Sequence, residues 1–482
     1  MAQRVSIDPV TRIEGHLKVE VEVDGGRVVD ARASGTMFRG LELILRGRDP
    51  RDAPHITQRI CGVCSVEHGI TSVLSLDNAF GVKVPRNGRI VRNLLAGLNM
   101  VMSHITHFYH LAGLDYVKGP EVPPFVPRYE GDYRLSQEAN ERVVRHYVEA
   151  LTVRRKAHEA AAVLGAKIPH VTALTAGGVT ENVSLEKMAK VKSYLKDIAS
   201  FVDNAYLPDA MAVVEAYQDY FEIGAGHRNL LAYGAFPLTD EEDSGGQNQF
   251  FKRGRYSAGQ FAPVELEKIA EDVRYSRFDD RTSHLHPAEG ATRPAPGKRG
   301  AYSWLKAPRY DGQPYEVGPL ARMWINRVPA VVNLGDKAFS VLGRHYARAV
   351  EASLLVREIQ NWVDQLVPGE PCFAPYSVPK EGKGVGLTEA ARGALGHWIE
   401  VRDYRIHNYQ AVVPTTWNFS PRDDKGVRGP LEEALVGTPV KDPNQPVEVV
   451  RVIRSFDPCL GCAVHVLEVK ESDRRLREFQ VL

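Results

Sequence analysis

The chain has 482 residues, enough to bury a large core, and its 43% hydrophobic and 25% charged residues are those of an ordinary globular protein, which argues against disorder. Lys plus Arg number 61 against 60 Asp plus Glu, so a formal charge of +1 offers no field for nucleic acid or an anionic membrane. No stretch reaches the roughly eighteen apolar residues of a membrane span, Met1 to Pro9 lacks the apolar core of a signal peptide, and five cysteines are too sparse for a disulfide scaffold.

Near the N-terminus Leu17, Val19, Val21 and Val23 alternate with Lys18, Glu20 and Glu22, the period of a half-buried strand. Asp24-Gly25-Gly26 signals a turn and Val28 to Ala33 a returning strand, so a small antiparallel sheet opens the chain. Gly35 to Glu42 leads to a short helix, and Cys61 and Cys64 precede or begin another helix that reaches Phe80. From Arg89 to about Leu114 there is no proline, and Ile90, Leu94, Leu98, Val101, Ile105 and Phe108 mark the apolar face of a long helix. His104, His107 and His110 recur every third residue in it, so only neighbours among them share a face.

Gly119 to Tyr129 is a proline-rich loop. Two helical tracts follow, 135–164 and 185–220, the second capped by Ser184 and broken near Pro208. Helical periodicity fails from 225 to about 312, returns at 319–333 and 340–367, and gives way to a glycine-rich stretch at 382–386 and to mixed β structure after Thr388 to His397. The fold class expected is α+β, a mainly helical core with smaller β portions, and there is no internal repeat.

Four of the five cysteines form two C-x-x-C pairs, Cys61/Cys64 and Cys459/Cys462. That spacing lets two thiolates face one ion, and two pairs supply four sulfurs, a set for zinc, an iron-sulfur cluster, or a thiolate-rich nickel, copper or iron centre. Spacing alone favours structural zinc. Two features count against it: 395 positions separate Cys64 from Cys459, and His68, Asp457 and His465 crowd acid-base groups around the pairs, as proton handling requires. Cys372 stands alone and reads as a small buried residue.

Further residues carry a resemblance. Asp8 to His16, Phe38-Arg39-Gly40-Leu41-Glu42, Arg59 to Cys64 with His68, His107-Phe108-Tyr109-His110, Glu389 to His397, Val413 to Asn418 and Asp457 to His465, in this order, resemble the large, catalytic subunit of a nickel-iron hydrogenase, and within that family the respiratory, membrane-associated uptake class. The resemblance runs over essentially the whole chain. It implies one cooperative hydrogenase large-subunit domain over 1–465, with a β portion at about 4–35, a helical core at about 60–370 and a mixed part at 380–465. It also implies a C-terminal propeptide, 466–482, removed by a maturation endopeptidase after His465 once nickel is loaded.

As the resemblance has it, Cys61 and Cys459 are terminal nickel ligands, and Cys64 and Cys462 bridge nickel to an iron that carries carbon monoxide and two cyanides. The reaction implied is the reversible heterolytic oxidation of H2, with Cys459 as first base, Glu14 as proton relay, Arg392 above the metals and Thr415 hydrogen-bonded to a cyanide. His68 is expected on a bridging thiolate, and Glu42 with His465 on a magnesium or iron ion. Taken singly, Glu14 reads as a surface carboxylate, Arg392 and Glu42 as exposed helix charges, and Thr415 as a strand former. His104, His107 and His110 are expected to be packing or supporting residues. Two positions depart from the family pattern: Ala391, where many relatives have proline, and Ser103, aspartate in some.

The chain has no further cysteine cluster, so the iron-sulfur clusters are expected in a small subunit whose export signal would carry both to the extracytoplasmic, periplasmic side; a cytoplasmic enzyme is the alternative. A dimer of such heterodimers and a membrane cytochrome b, or another quinone-linked anchor, are compatible with this, and nucleic acid is not. Two other functions stand beside it. One is a non-catalytic, metal-stapled structural or electron-transfer subunit, against which the four retained cysteines argue; the other is a hydrogen-sensing regulatory hydrogenase with the same site.

Overall fold

The alternation of Leu17, Val19, Val21 and Val23 forms a strand with these four side chains buried. In the computed structural model, which describes residues 3–130, 132–241, 243 and 245–463, this strand is the centre of an antiparallel sheet of β1 (Gln3–Ile7), β2 (Leu17–Asp24) and β3 (Arg27–Gly35). Its register sets Val5 against Val21 and Val19 against Ala33, so one face is continuously apolar.

The helices that position the site are, in chain order, α1 (Leu41–Leu45), α2 (Ser65–Phe80), α3 (Arg86–Thr106), α4 (Gln137–Gly165), α5 (Leu185–Phe201), α6 (Leu207–Ala216), α7 (Pro319–Ile325) and α8 (Val341–Asp364). Of the described residues 43% are helical and 19% are in strands, the α+β class expected. α3 lies between α4 and α8, which is why Leu95, Met100 and Met102 are buried as completely as the predicted face of Ile90, Leu94, Leu98, Val101 and Ile105. Removing a Leu, Ile or Met of this kind from water is worth about 1.5–3 kcal/mol. The α-helix ends at Thr106, short of the expected Leu114, because the chain widens into a π turn over His107–Ala112.

Ser184 caps α5 by accepting from the Lys187 amide at 3.3 Å, and Ser340 caps α8 by accepting from Gly343 at 2.9 Å. The break near Pro208 is a second π turn, Val202–Tyr206, which ends just before the ring. Between 230 and 310 the strands have three or four residues each, too short to show a period.

Another three-stranded antiparallel sheet, β4 (Glu381–Ala390), β5 (Gly393–Arg402) and β6 (Arg405–Val412), absorbs the glycine-rich stretch. Gly382, Gly384 and Gly386 lie on one face of β4, where added Cβ atoms would meet the carbonyls of Ala79, Ser75 and Thr71 on α2. Four residues of helix rise about 6 Å and two of strand about 6.7 Å, so glycine at every second position matches one stripe of the helix. Backbone packs on backbone there, and α2, which begins just after Cys64, is thereby fixed. After β6 come α9 (Pro414–Asn418), α10 (Val447–Ser455) and α11 (Leu460–Ala463).

Gly384→Ala is expected to destabilise the fold by about 1–3 kcal/mol through overlap with the Ser75 carbonyl. The lowered melting temperature of the assembled protein is the measure, and Gly437→Ala, where a Cβ would meet nothing within 4 Å but φ is 82°, is the control for pure backbone strain.

Candidate metal centre

The cysteine pairs come from opposite ends of the chain. Cys61 follows a short 3-10 turn, Gln58–Ile60, and Cys64 is the N-cap residue of α2. The amides of Val63 and Cys64 donate to Cys61 Sγ at 3.2 and 3.4 Å, so the turn itself shapes the first pair. The second pair follows α10, after Asp457 turns the chain with a left-handed φ of 56°.

Residues around Glu14 receive that second segment. The Leu460 amide donates to Glu14 O at 2.7 Å and the Glu14 amide to Pro458 O at 3.4 Å, a parallel bridge between the two ends of the chain. Gly15, with φ of 79°, and Gly461 admit this approach: a Cβ on the first would meet the Gly461 nitrogen, and one on the second the Glu14 carboxylate. Arg39, from the Phe38-Arg39-Gly40-Leu41-Glu42 motif, donates to the carbonyls of Ile60 and Gly461 and so ties both cysteine segments together.

The result is four Sγ atoms all within 4.8 Å of one another: Cys64 to Cys462 is 2.9 Å, Cys459 to Cys462 3.0 Å and Cys61 to Cys459 3.4 Å. All four residues are buried. Hydrogen bonding from Cys459 brings the Cys61 thiol down, whereas burial pushes Cys459 and Cys462 up, so the polypeptide by itself does not carry four thiolates. A soft multivalent cation would, and the donor set fits nickel with iron.

Glu14 stands at the edge of this cluster, half-buried. Its Oε2 accepts from the Gly461 amide at 2.7 Å and from Cys459 Sγ at 3.1 Å, and burial, followed by the Cys61 charge, raises its pKa. Arg392 is neither exposed nor helical: it sits 3% exposed in the tight turn between β4 and β5, with Nε donating to Asp457 O at 3.0 Å and Nη2 paired with Asp457 Oδ1 at 3.0 Å. Burial works against its charge, and Asp457 with Cys459, Cys64 and Cys61 outweighs it. Its Nη1 is buried without a hydrogen-bond partner among the described residues, a free donor beside the sulfurs.

Thr415 belongs to α9, and its Oγ1 accepts from the Cys459 amide at 3.1 Å, leaving its hydroxyl proton to donate elsewhere. His68 Nδ1 lies 3.2 Å from His397 Nε2, whose other ring nitrogen is 2.8 Å from Tyr409 OH. Glu42 is buried rather than solvated, and its carboxylate accepts from the Ala411 amide at 2.9 Å and from Thr292. Lys306 beside it pairs with Glu271 at 2.8 Å and donates to Gln410 at 3.1 Å, a buried polar cluster with no local sequence signature. His465 and the 466–482 segment lie outside the described residues.

His104 binds Glu351 at 2.8 Å, His107 binds Arg454 O at 2.7 Å and His110 binds Tyr147 O at 3.1 Å, so each has a structural partner as expected. Cys372 is buried away from the cluster, and the Ser103 hydroxyl is buried without a hydrogen-bond partner among the described residues. Among the described residues no helix is long and apolar enough to cross a membrane.

Thr415→Val is expected to leave the Cys459 amide unsatisfied and to cost about 1–3 kcal/mol in thermal unfolding. Thr415→Ser, which keeps the acceptor, is expected to stay within about 1 kcal/mol of the parent.

Comparison with known proteins matches this geometry. The profile described as nickel-dependent hydrogenase matches residues 39–122 and 118–465, and one described as HoxL-like matches 4–35. The chain is 46% identical to the periplasmic NiFeSe hydrogenase large subunit of Desulfomicrobium baculatum, covering 98% of this chain and 97% of that one. It is 37% identical to an uptake hydrogenase large subunit of Bradyrhizobium diazoefficiens, covering 96% and 95%. The solved NiFeSe hydrogenase of D. vulgaris Hildenborough in the reduced state superimposes with a TM-score of 0.94 at 49% identity, over 96% of this chain and 100% of that one. With the fold, the four-sulfur cluster and these relatives in agreement, the chain belongs to the nickel-dependent hydrogenase family, whose large subunits work with a small-subunit partner, and it is a hydrogenase large subunit.

Proposed function

We propose that Cys61, Cys64, Cys459 and Cys462 hold a nickel-iron centre, with Cys61 and Cys459 terminal on nickel, Cys64 and Cys462 bridging, and carbon monoxide and two cyanides on iron. The observation that carries this reading is the approach of four buried Sγ atoms within 4.8 Å, with a carboxylate oxygen 3.1 Å from one of them. When bound, such a centre supplies the heterolytic cleavage of H2 and takes up its two electrons.

The residues of the chain then manage the two protons. Cys459 Sγ is the first base, and its proton is already directed at Glu14 Oε2. The Gly461 amide holds that carboxylate oxygen in line at 2.7 Å, and burial moves Glu14 toward the pH at which a carboxyl group can both accept and release a proton. Arg392, fixed by Asp457, offers its unused Nη1 as a preorganised donor to the diatomic ligands, and the Thr415 hydroxyl proton is available to a cyanide. His68, in the first turn of α2 with Nδ1 3.2 Å from His397 Nε2, would hydrogen-bond a bridging thiolate. Glu42, buried and oriented by the Ala411 amide, would with His465 hold a magnesium or iron ion near the C-terminus.

Four of five cysteines are used at this centre, so electrons must leave through the small subunit and its iron-sulfur clusters. The periplasmic relative supports an extracytoplasmic location, and the resemblance of the motifs to the membrane-associated uptake class leads us to include a membrane-anchored partner such as a cytochrome b. Maturation by an endopeptidase that removes 466–482 completes the reading.

Elemental analysis of the purified heterodimer should find nickel with iron, and infrared spectra should show bands of bound carbon monoxide and cyanide; zinc alone would refute the centre. Glu14→Gln is expected to keep both metals and those bands while H2/D2 exchange and H2 oxidation fall by at least about 100-fold, in the range of a lost general acid-base group. Full activity in Cys459→Ser would contradict its assignment, and an active enzyme whose intact mass retains 466–482 would contradict the maturation step.

A further inference from the structure

Arg392 stands in a two-residue hairpin loop. β4 ends at Ala390, β5 begins at Gly393, and these residues pair across the sheet, so Ala391 and Arg392 are the entire connection. Two-residue hairpins favour primed turns, which need a positive φ at the first loop position and therefore select Gly, Asn or Asp. Neither Ala391 nor Arg392 has a positive φ. Ala391 also has no ring to restrict its backbone, so the local sequence does not dictate the shape of this loop.

The loop is held from outside by Arg322, on α7 and fully buried. Its Nε and Nη2 donate to the two oxygens of Glu351 at 2.8 and 2.6 Å, and its Nη1 to Glu389 Oε2 at 2.7 Å and to Ala390 O at 2.9 Å. Nη2 also donates to Ala391 O at 3.0 Å, which engages all five N–H donors of the guanidinium. The two carbonyls belong to the peptide groups on either side of Ala391, and the second leads directly into Arg392.

The anchors are themselves fixed. Glu351 accepts from His104 Nε2 at 2.8 Å, and Glu389 Oε1 accepts from the Tyr233 amide at 2.6 Å. Burial opposes the charge of Glu351, but Arg322 and His104 outweigh it and bring its pKa to about 2; at Glu389 burial prevails and raises it to about 7. The first turn of α7 presses on the same loop, since a Cβ on Gly393 would meet the Gly318 nitrogen at 2.7 Å. A guanidinium buried between two carboxylates is weak evidence for stability, because desolvation offsets the attraction. Its geometric effect is definite: it holds both carbonyls of a loop whose shape the local sequence does not dictate.

We propose that Arg322 is a positioning residue for hydrogen turnover, which binds the carbonyls of Ala390 and Ala391 and thereby aims Arg392 at the metal centre. The proposal rests on the role given to Arg392 above. A lysine at 322 would keep the positive charge for Glu351 and Glu389 but has three donors on one atom and cannot span two carboxylates and two carbonyls.

The test uses the assembled heterodimer with Arg322→Lys, Arg392→Lys and the double variant. Arg322→Lys should retain nickel and iron, shift the carbon monoxide and cyanide bands, and lower kcat about tenfold or more, with KM for H2 changed less than about twofold, because a misplaced donor acts on the reacting state rather than on substrate entry. The double variant should be no slower than Arg392→Lys within about twofold, as two residues acting through one donor are not additive. Multiplying losses, or unshifted bands in Arg322→Lys beside shifted bands in Arg392→Lys, would overturn the proposal; unchanged bands and kcat in Arg392→Lys itself would instead remove the reading of Arg392. If Arg322→Lys does not assemble, Glu389→Gln decides, because it loosens one anchor without touching the loop: shifted bands are expected, and an assembled variant with the parent spectrum refutes the clamp.

Discussion

The parallel contact of Glu14 and Gly15 with Cys459 to Gly461 is the constraint on which the rest depends. Cys61 and Cys459 are 398 positions apart, yet their sulfurs are 3.4 Å from each other. Loop length is not the main obstacle, since each doubling adds only about 0.6 kcal/mol of closure entropy. The harder requirement is that two backbones approach closely enough for an amide of one to reach a carboxylate of the other. Gly15 and Gly461 meet it by having no side chain, and Arg39 meets it from the other side by joining Ile60 to Gly461.

Buried ion pairs repeat the theme of joining distant segments. Asp115, after the π turn, receives Arg12 and Arg454 at 2.5 Å each, and Arg454 also donates to Thr11 O at 2.9 Å, so the N-terminal segment and α10 meet at one carboxylate. Arg344 pairs with Glu316 at 2.7 Å while its guanidinium lies 3.7 Å from the Phe456 ring, directly before the Asp457 turn. Such pairs add little net stability, because desolvation cancels most of their attraction. What they fix is position, and arginine serves because its several donors bind several segments at once.

Much of the fold was legible in the sequence because its signals are local. The alternation in β2, the apolar face of α3 and the serine cap at 184 act within a few residues. The π turn at His107–Ala112 left no trace and the one at Val202–Tyr206 showed only as a break near Pro208, while Gly382 to Gly386 gave a composition but not a strand, because the reason for those glycines is the α2 backbone three hundred positions away in the chain. The charged site residues follow the same rule. Glu42 and Arg392 taken singly read as exposed charges, since burial of a charge depends on partners such as Thr292 or Asp457 that only the fold supplies. Family motifs identified both residues, whereas Arg322 and Glu351 belong to no motif read from the sequence.

Burial around the sulfurs works against the charge of both Glu14 and Arg392, and the partners beside each decide the outcome, a difference that fits the two roles proposed for them. Among the described residues Glu14 has no cation hydrogen-bonded to its carboxylate; its near partners are an amide and a thiol, and desolvation raises its pKa. A group in that condition can pass a proton on. Arg392 has Asp457 beside it and the cysteine sulfurs near it, and their negative charge outweighs burial, so it stays protonated and does not carry a proton away. It serves as a fixed donor only if its backbone is equally fixed, and a loop made of Ala391 and Arg392 does not provide that by itself. The buried charge of Arg322 is therefore best understood through the geometry it imposes, at a place where desolvation leaves little stability to be gained.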